Sequence, residues 1–185
     1  MKKLICLLAV FTLTVTLFSG AFAAGTVFET PYFTLELPEG WEIDQEELDK
    51  ESEEGLEVLG YFGESAEIGL AAQVVLANYV DLNDFSLWNA DEEGFQQYVD
   101  MLMEEFANDN PQNLGIQNVG GIPFVLIKCS YQDGEYLYVD TITNGHAVEF
   151  VAVVSDYGEK YYPFTDDYIE LFKTILATFK PKQNT

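Results

Sequence analysis

One histidine, one cysteine beyond the first two dozen residues, and 32 carboxylates set the chemistry open to this chain. His146 follows Asn144-Gly145, a tight-turn pair, and reads as an exposed hairpin residue. Base catalysis through it would need a nucleophile and an orienting acid. No Gly-x-Ser-x-Gly elbow supplies one. It can instead be imagined on a metal with Glu149 or Asp140, although zinc sites are seldom so poor in histidine. Cys129 ends an apolar run, on the face shared by Val125 and Ile127 and opposite to Lys128, so it reads as a small buried hydrophobe and not a nucleophile.

The carboxylates suggest two further chemistries. Asp81-Leu82-Asn83-Asp84 and Asn89-Ala90-Asp91-Glu92-Glu93-Gly94 offer oxygen ligands of the kind calcium takes, but neither has the spacing of an EF-hand loop. A glycosidase-like pair can be drawn from 32 acids in too many ways to carry information. A solvated acidic face accounts for both. Neither a P-loop nor a dinucleotide fingerprint occurs.

Aromatics are abundant, with 14 Phe, 11 Tyr and two Trp, and Tyr131, Tyr136, Tyr138, Tyr157, Tyr161 and Tyr162 gather in the second half. Tyrosine suits surfaces that are apolar at one end and wet at the other. Sheet packing explains the same residues, since aromatics favour strands. The candidate ligand or partner surface is therefore Tyr136, Tyr138, His146, Tyr161 and Tyr162.

The elements that must position these residues follow from periodicity. Tyr32 to Leu37 alternates as a strand, ended by Pro38-Glu39-Gly40, with Trp41 packing that turn onto the core. Glu42 to Glu54 holds eight carboxylates and one Lys and reads as a solvated loop. Leu56 to Phe62 and Ile68 to Tyr79 read as a strand pair, the second apolar enough for a central place. Asp91 to Asn108 has the helical period, with Phe95, Tyr98, Val99, Leu102, Met103 and Phe106 on one face and Asn89 or Asp91 as cap. Strands follow at Leu114 to Val119, Ile122 to Tyr131, Tyr136 to Ile142 and Ala147 to Val154. Their connections are too short for crossovers, so neighbours are antiparallel. A helix from Thr165 to about Phe179 closes the chain, with Tyr168, Leu171, Phe172, Ile175 and Phe179 inward.

The beginning of the chain gives an address. Lys2 and Lys3 precede the uncharged apolar run Leu4 to Phe18, and Ala21-Phe22-Ala23 places small residues two apart. That is the pattern of a secretory signal peptide cleaved near Ala23 or Ala24. The run is too short for a good membrane span. Cys6 is a poor lipoprotein cysteine, because bulky Ile5 precedes it and no apolar region does. Cys129 is then the only mature thiol, and no internal disulfide forms.

All eight basic residues are Lys; loss of Lys2 and Lys3 with the leader leaves six Lys against 32 acids and takes the formal charge from -24 to -26. Such a surface repels nucleic acid and anionic lipid. With no Arg, a bidentate carboxylate or phosphate clamp cannot be built.

The stretch Tyr32-Phe33-Thr34-Leu35-Glu36-Leu37-Pro38-Glu39-Gly40-Trp41, a strand ending in Pro-x-Gly-Trp near the mature start, resembles the PsbP-like superfamily. That group includes extrinsic photosystem II proteins, a Ran-binding nuclear-import protein and many exported bacterial proteins of unknown role. The helix around Phe95 to Phe106, Gly120-Gly121-Ile122-Pro123 before a long strand, and the closing Thr178-Phe179-Lys180 agree with it. The resemblance implies a mostly antiparallel sheet flanked by helices on two sides, and binding or assembly in preference to catalysis. It transfers no site residue.

The expectations are these. Residues 1–24 form a signal peptide, 25–180 one α+β domain with about six to seven strands and two main helices in an α/β/α sandwich, and 181–185 a loose tail. The protein is secreted or periplasmic, not an enzyme, and engages a protein or small ligand through its sheet face or loops. No cofactor is called for, though a divalent cation is allowed. Nucleic acid is not a partner, and no stable membrane span remains after cleavage. The competing readings are a carboxylate- or metal-dependent hydrolase and a calcium-binding envelope protein.

Overall fold

The structure, a computed structural model, describes residues 26–44, 56–77, 85–131, 134–156 and 160–182. The expected leader, most of the acidic loop, Asp81 to Asp84 and Tyr157 lie outside them. So does the side chain of Tyr131.

Alternation of apolar residues on both faces generates the central sheet. Its strands are β3 (Trp41–Asp44), β4 (Leu56–Glu64), β5 (Gly69–Ala77), β6 (Gln112–Val119), β7 (Ile122–Tyr131), β8 (Gly134–Thr143) and β9 (His146–Ser155). They lie in the order β3-β4-β5-β9-β8-β7-β6, and β10 (Tyr161–Tyr162) adds to the end of β9 as the eighth strand. Every pairing is antiparallel. The meander from β6 to β9 follows from its two-residue turns. Asn144 and Gly145 both take positive φ, 49° and 81°, as do Gly120 and Gly121, at 60° and 89°. Local rules do not predict the join of the two halves, where β5 pairs with β9 from Gly69↔Ser155 to Ala77↔Ala147.

Both faces are covered, which is why β5, β7, β8 and β9 are mostly apolar on both sides. On one face lies helix α1 (Glu92–Glu105), started by Asp91, whose carboxylate accepts the Gly94 N–H at 2.8 Å. Val99, Leu102 and Phe106 dock there against Val75, Val125, Ile127 and Val153. On the other face lies helix α2 (Asp166–Leu176), with Ile169, Phe172, Ile175 and Leu176 inward. Beside α2 sits a second sheet, β1 (Thr26–Glu29), β2 (Phe33–Leu37) and β11 (Lys180–Pro181), in the order β1-β2-β11. Thr30 shapes its first turn: the Thr30 hydroxyl accepts the N–H groups of Tyr32 and Phe33 at 3.1 and 3.0 Å.

Several boundaries differ from the expected ones. Trp41 to Asp44 forms edge strand β3, because Trp41 and Ile43 alternate inward and pair along β4. The regular part of α1 ends at Glu105, and the turn 107–109 leads into Asn110 at φ 45°. The tail expected from residue 181 is tied down at its start: Pro181 pairs with Phe33, and the Lys182 N–H donates to the Tyr32 carbonyl at 2.7 Å.

Candidate functional site

The five residues picked out by composition do not share one surface. Tyr136 and Tyr138 are buried on the α1 face, where their hydroxyls bond inward to Asp109 at 2.7 Å and Asp140 at 3.1 Å. Tyr161 is half-buried against the same layer, whereas Tyr162 packs with the α2 layer. His146 falls on the α2 face by strand alternation and is half-buried, its ring 4.7 Å from that of Tyr32. Asp140 and Glu149 point to the α1 face, so the set His146, Asp140 and Glu149 is not assembled around one ion. Among the described residues no three of His, Cys, Asp and Glu come together to hold a metal. Cys129 is buried beside Tyr136, and burial pushes its thiol up to about 12, the reverse of an activated nucleophile.

A different site emerges on the α1 face. The Asn144-Gly145 turn sets the register of β8 and β9 so that Asp140 stands directly opposite Glu149. Both are inside, at 1% and 6% exposure. Cross-strand partners of this kind have Cβ atoms about 4.5–5.5 Å apart. Asp140 accepts the Tyr98 hydroxyl on Oδ1 at 2.7 Å and the Tyr138 hydroxyl on Oδ2 at 3.1 Å. Desolvation raises its pKa to about 7; the two tyrosine bonds oppose that rise, and Glu105 adds to it. The polar row continues through Gln73, 4% exposed, whose Nε2 donates to the Tyr61 hydroxyl at 2.9 Å while its Oε1 has no hydrogen-bond partner.

Asp140 forms part of the floor of an open cavity of about 820 Å³. Ile142 and Ala147 complete that floor, the flank of α1 from Asp91 through Tyr98 and Met101 to Glu105 makes one wall, and residues 85–90 make the other. The second wall is strapped down. The Asn144 N–H donates to the Ser86 hydroxyl at 2.9 Å, the Gly145 N–H donates to the Phe85 carbonyl at 2.7 Å, and Leu87 is buried beneath. Two of the side chains that line the cavity are large, apolar and exposed, Phe85 at 38% and Met101 at 51%. Such a concave, mostly apolar site with one buried ionisable group of shifted pKa is what small-ligand sites look like.

Sequence reasoning named Asp140 and Glu149 only as companions to His146 and missed the cavity. The signal was available for part of it. A two-residue Asn-Gly hairpin fixes the register, which puts 140 opposite 149 on the face away from His146. Nothing local foretells the wall formed by residues 85–90.

No family model matches the chain, and no curated protein matches it in sequence. Among solved structures it is similar to cyanobacterial PsbP (CyanoP) from Synechocystis sp. PCC 6803, determined in solution, with a TM-score of 0.51 over 91% of this chain and 99% of that one. The fold is PsbP-like. At 11% identity this PsbP-like frame carries no residue's role with it. Among the described residues no helix is long and apolar enough to cross a membrane.

Proposed function

We propose that the protein is an exported, non-enzymatic binding or accessory domain whose ligand enters the cavity between α1 and the sheet. The cavity itself is the observation that carries this reading: about 820 Å³, pinned walls, and an apolar rim left open to solvent. The leader-like start of the chain supports export. The PsbP-like fold is compatible with a binding role and does not by itself establish one.

The rival hydrolase reading has one observation in its favour, the facing carboxyls Asp140 and Glu149. One point weighs against it: Glu149 is not among the described residues that line the cavity, so the facing pair cannot act together on a ligand there. A general acid must reach the atom it protonates.

The test is a fragment library screened by protein-observed NMR, alongside turnover assays on ester, glycoside and phosphate substrates. The binding reading expects fragments to converge on residues 85–90 and on the Tyr98–Met101 flank, with no turnover. Hydrolysis abolished by Asp140→Asn would establish the rival.

A further inference from the structure

We propose that this cavity selects a small organic cation, an apolar body carrying a protonated amine, with the ammonium against Asp140 and the apolar part against Phe85 and Met101. The inference rests on the cavity being the binding site and adds the chemistry of what enters.

Charge decides the class. Among the described residues the acids on the wall are Asp91, Glu105 and Asp140, and no Lys or His lines it. The chain has no Arg at all. Described lysines are engaged elsewhere: Lys128, Lys173, Lys180 and Lys182 pair with Glu135, Glu170, Glu36 and Glu29, and Lys160 lies over the Tyr162 ring. Among the described residues, an anion entering the cavity would meet three carboxyls and no side-chain cation. The N-terminus of α1 does not offset this, because Asp91 already takes the Gly94 N–H.

Asp140 has room for a donor. A carboxylate accepts at about four positions, and the two tyrosine hydroxyls use one on each oxygen. A neutral apolar ligand would do nothing for the negative charge of Asp140, which burial already disfavours. An ammonium offsets that burial with a charge-assisted bond.

The test is an NMR titration of the full chain with octylammonium, octanol, octanoate and ethylammonium at equal ionic strength. Octylammonium is expected to give saturable shifts confined to residues 85–90, Tyr98, Met101 and Ile142. Octanol should bind there at least about tenfold more weakly, octanoate not at all, and ethylammonium only diffusely over the acidic surface. Asp140→Asn should erase the preference of ammonium over alcohol and keep the alcohol's affinity, while Met101→Ala should weaken both. Octanol or octanoate binding as tightly as octylammonium, or a preference that survives Asp140→Asn, would overturn the cation and leave the cavity standing. If none of the probes saturates at these residues, the cavity reading falls with it.

Discussion

On the α2 face the sheet meets eight buried phenylalanines, among them Phe28, Phe33, Phe150, Phe172 and Phe179, with ring centroids 4.7 to 6.4 Å apart across the two sheets and the helix. On the α1 face the described residues include one buried phenylalanine, Phe106 at the end of α1, and in its layer Tyr136, Tyr138 and the buried carboxyls Asp109, Asp140 and Glu149. Alternation along β8 and β9 assigns each residue to one layer or the other. The first layer is close-packed and dry, the kind of interior that carries stability. The second contains polar groups that an apolar filling of the same shape could replace at little cost or some gain, and it leaves a hole. Groups that a fold retains against its own stability are where function is sought.

The strongest way to break this contrast is to cut into the dry layer. Phe172→Ala is expected to cost about 3–5 kcal/mol in urea unfolding, a large part of the stability of a domain of this size. A loss below about 1 kcal/mol would mean that the α2 layer is not the stabilising one.

The next test uses pH. Asp140 has a higher pKa folded, about 7, than its ordinary value of 3.8. The native state therefore binds more protons between those values, and this group makes stability fall as pH rises from about 4 to 7. Asp140→Asn removes that term. Its stability relative to wild type should climb across the window, by an amount on the order of a few kcal/mol, as read from denaturation curves at several pH values. Parallel curves would show that the carboxyl is solvated.

Smaller effects sharpen the picture of the cavity wall. Asp91→Ala removes the cap of α1 and is expected to cost about 1 kcal/mol, with faster amide exchange in the first turn. Trp88→Ala should change stability by less than about 0.5 kcal/mol, since the side chain stands 40% exposed and not in the core. A loss as large as that of Phe172→Ala would place Trp88 in a packed role the structure does not give it.

Much of the frame was legible in the chain because its determinants are local. The Asn144-Gly145 and Gly120-Gly121 turns, the stripe Val99, Leu102, Phe106 and the stripe Ile169, Phe172, Ile175 each specify an element within a dozen residues. Strand β1 was hidden directly behind the expected leader, and β3 was read as the beginning of an acidic loop although Trp41 and Ile43 alternate. β11 is two residues long and exists only because β2 offers it an edge. The β5–β9 pairing brings together residues 70 to 86 positions apart, and no periodicity reports on such a contact. Tyr136 and Tyr138 looked like surface because their hydroxyls can be wet; Asp109 and Asp140, supplied from other positions on the α1 side, take those hydroxyls indoors. The cavity depends on all of these at once, together with the 85–90 wall that the Asn144-Gly145 turn holds in place.

The chain's two tryptophans differ in the same way: Trp41 is buried in the α2 layer with its ring 5.8 Å from Phe62, and Trp88 is exposed on the 85–90 segment, between the cavity-lining Leu87 and Asn89. Fluorine NMR of protein carrying 5-fluorotryptophan, titrated with octylammonium, reads both faces in one experiment. The account predicts a saturable shift of the Trp88 resonance while that of Trp41 stays still. Movement of Trp41 with Trp88 unchanged, or no saturable movement of either, would contradict it.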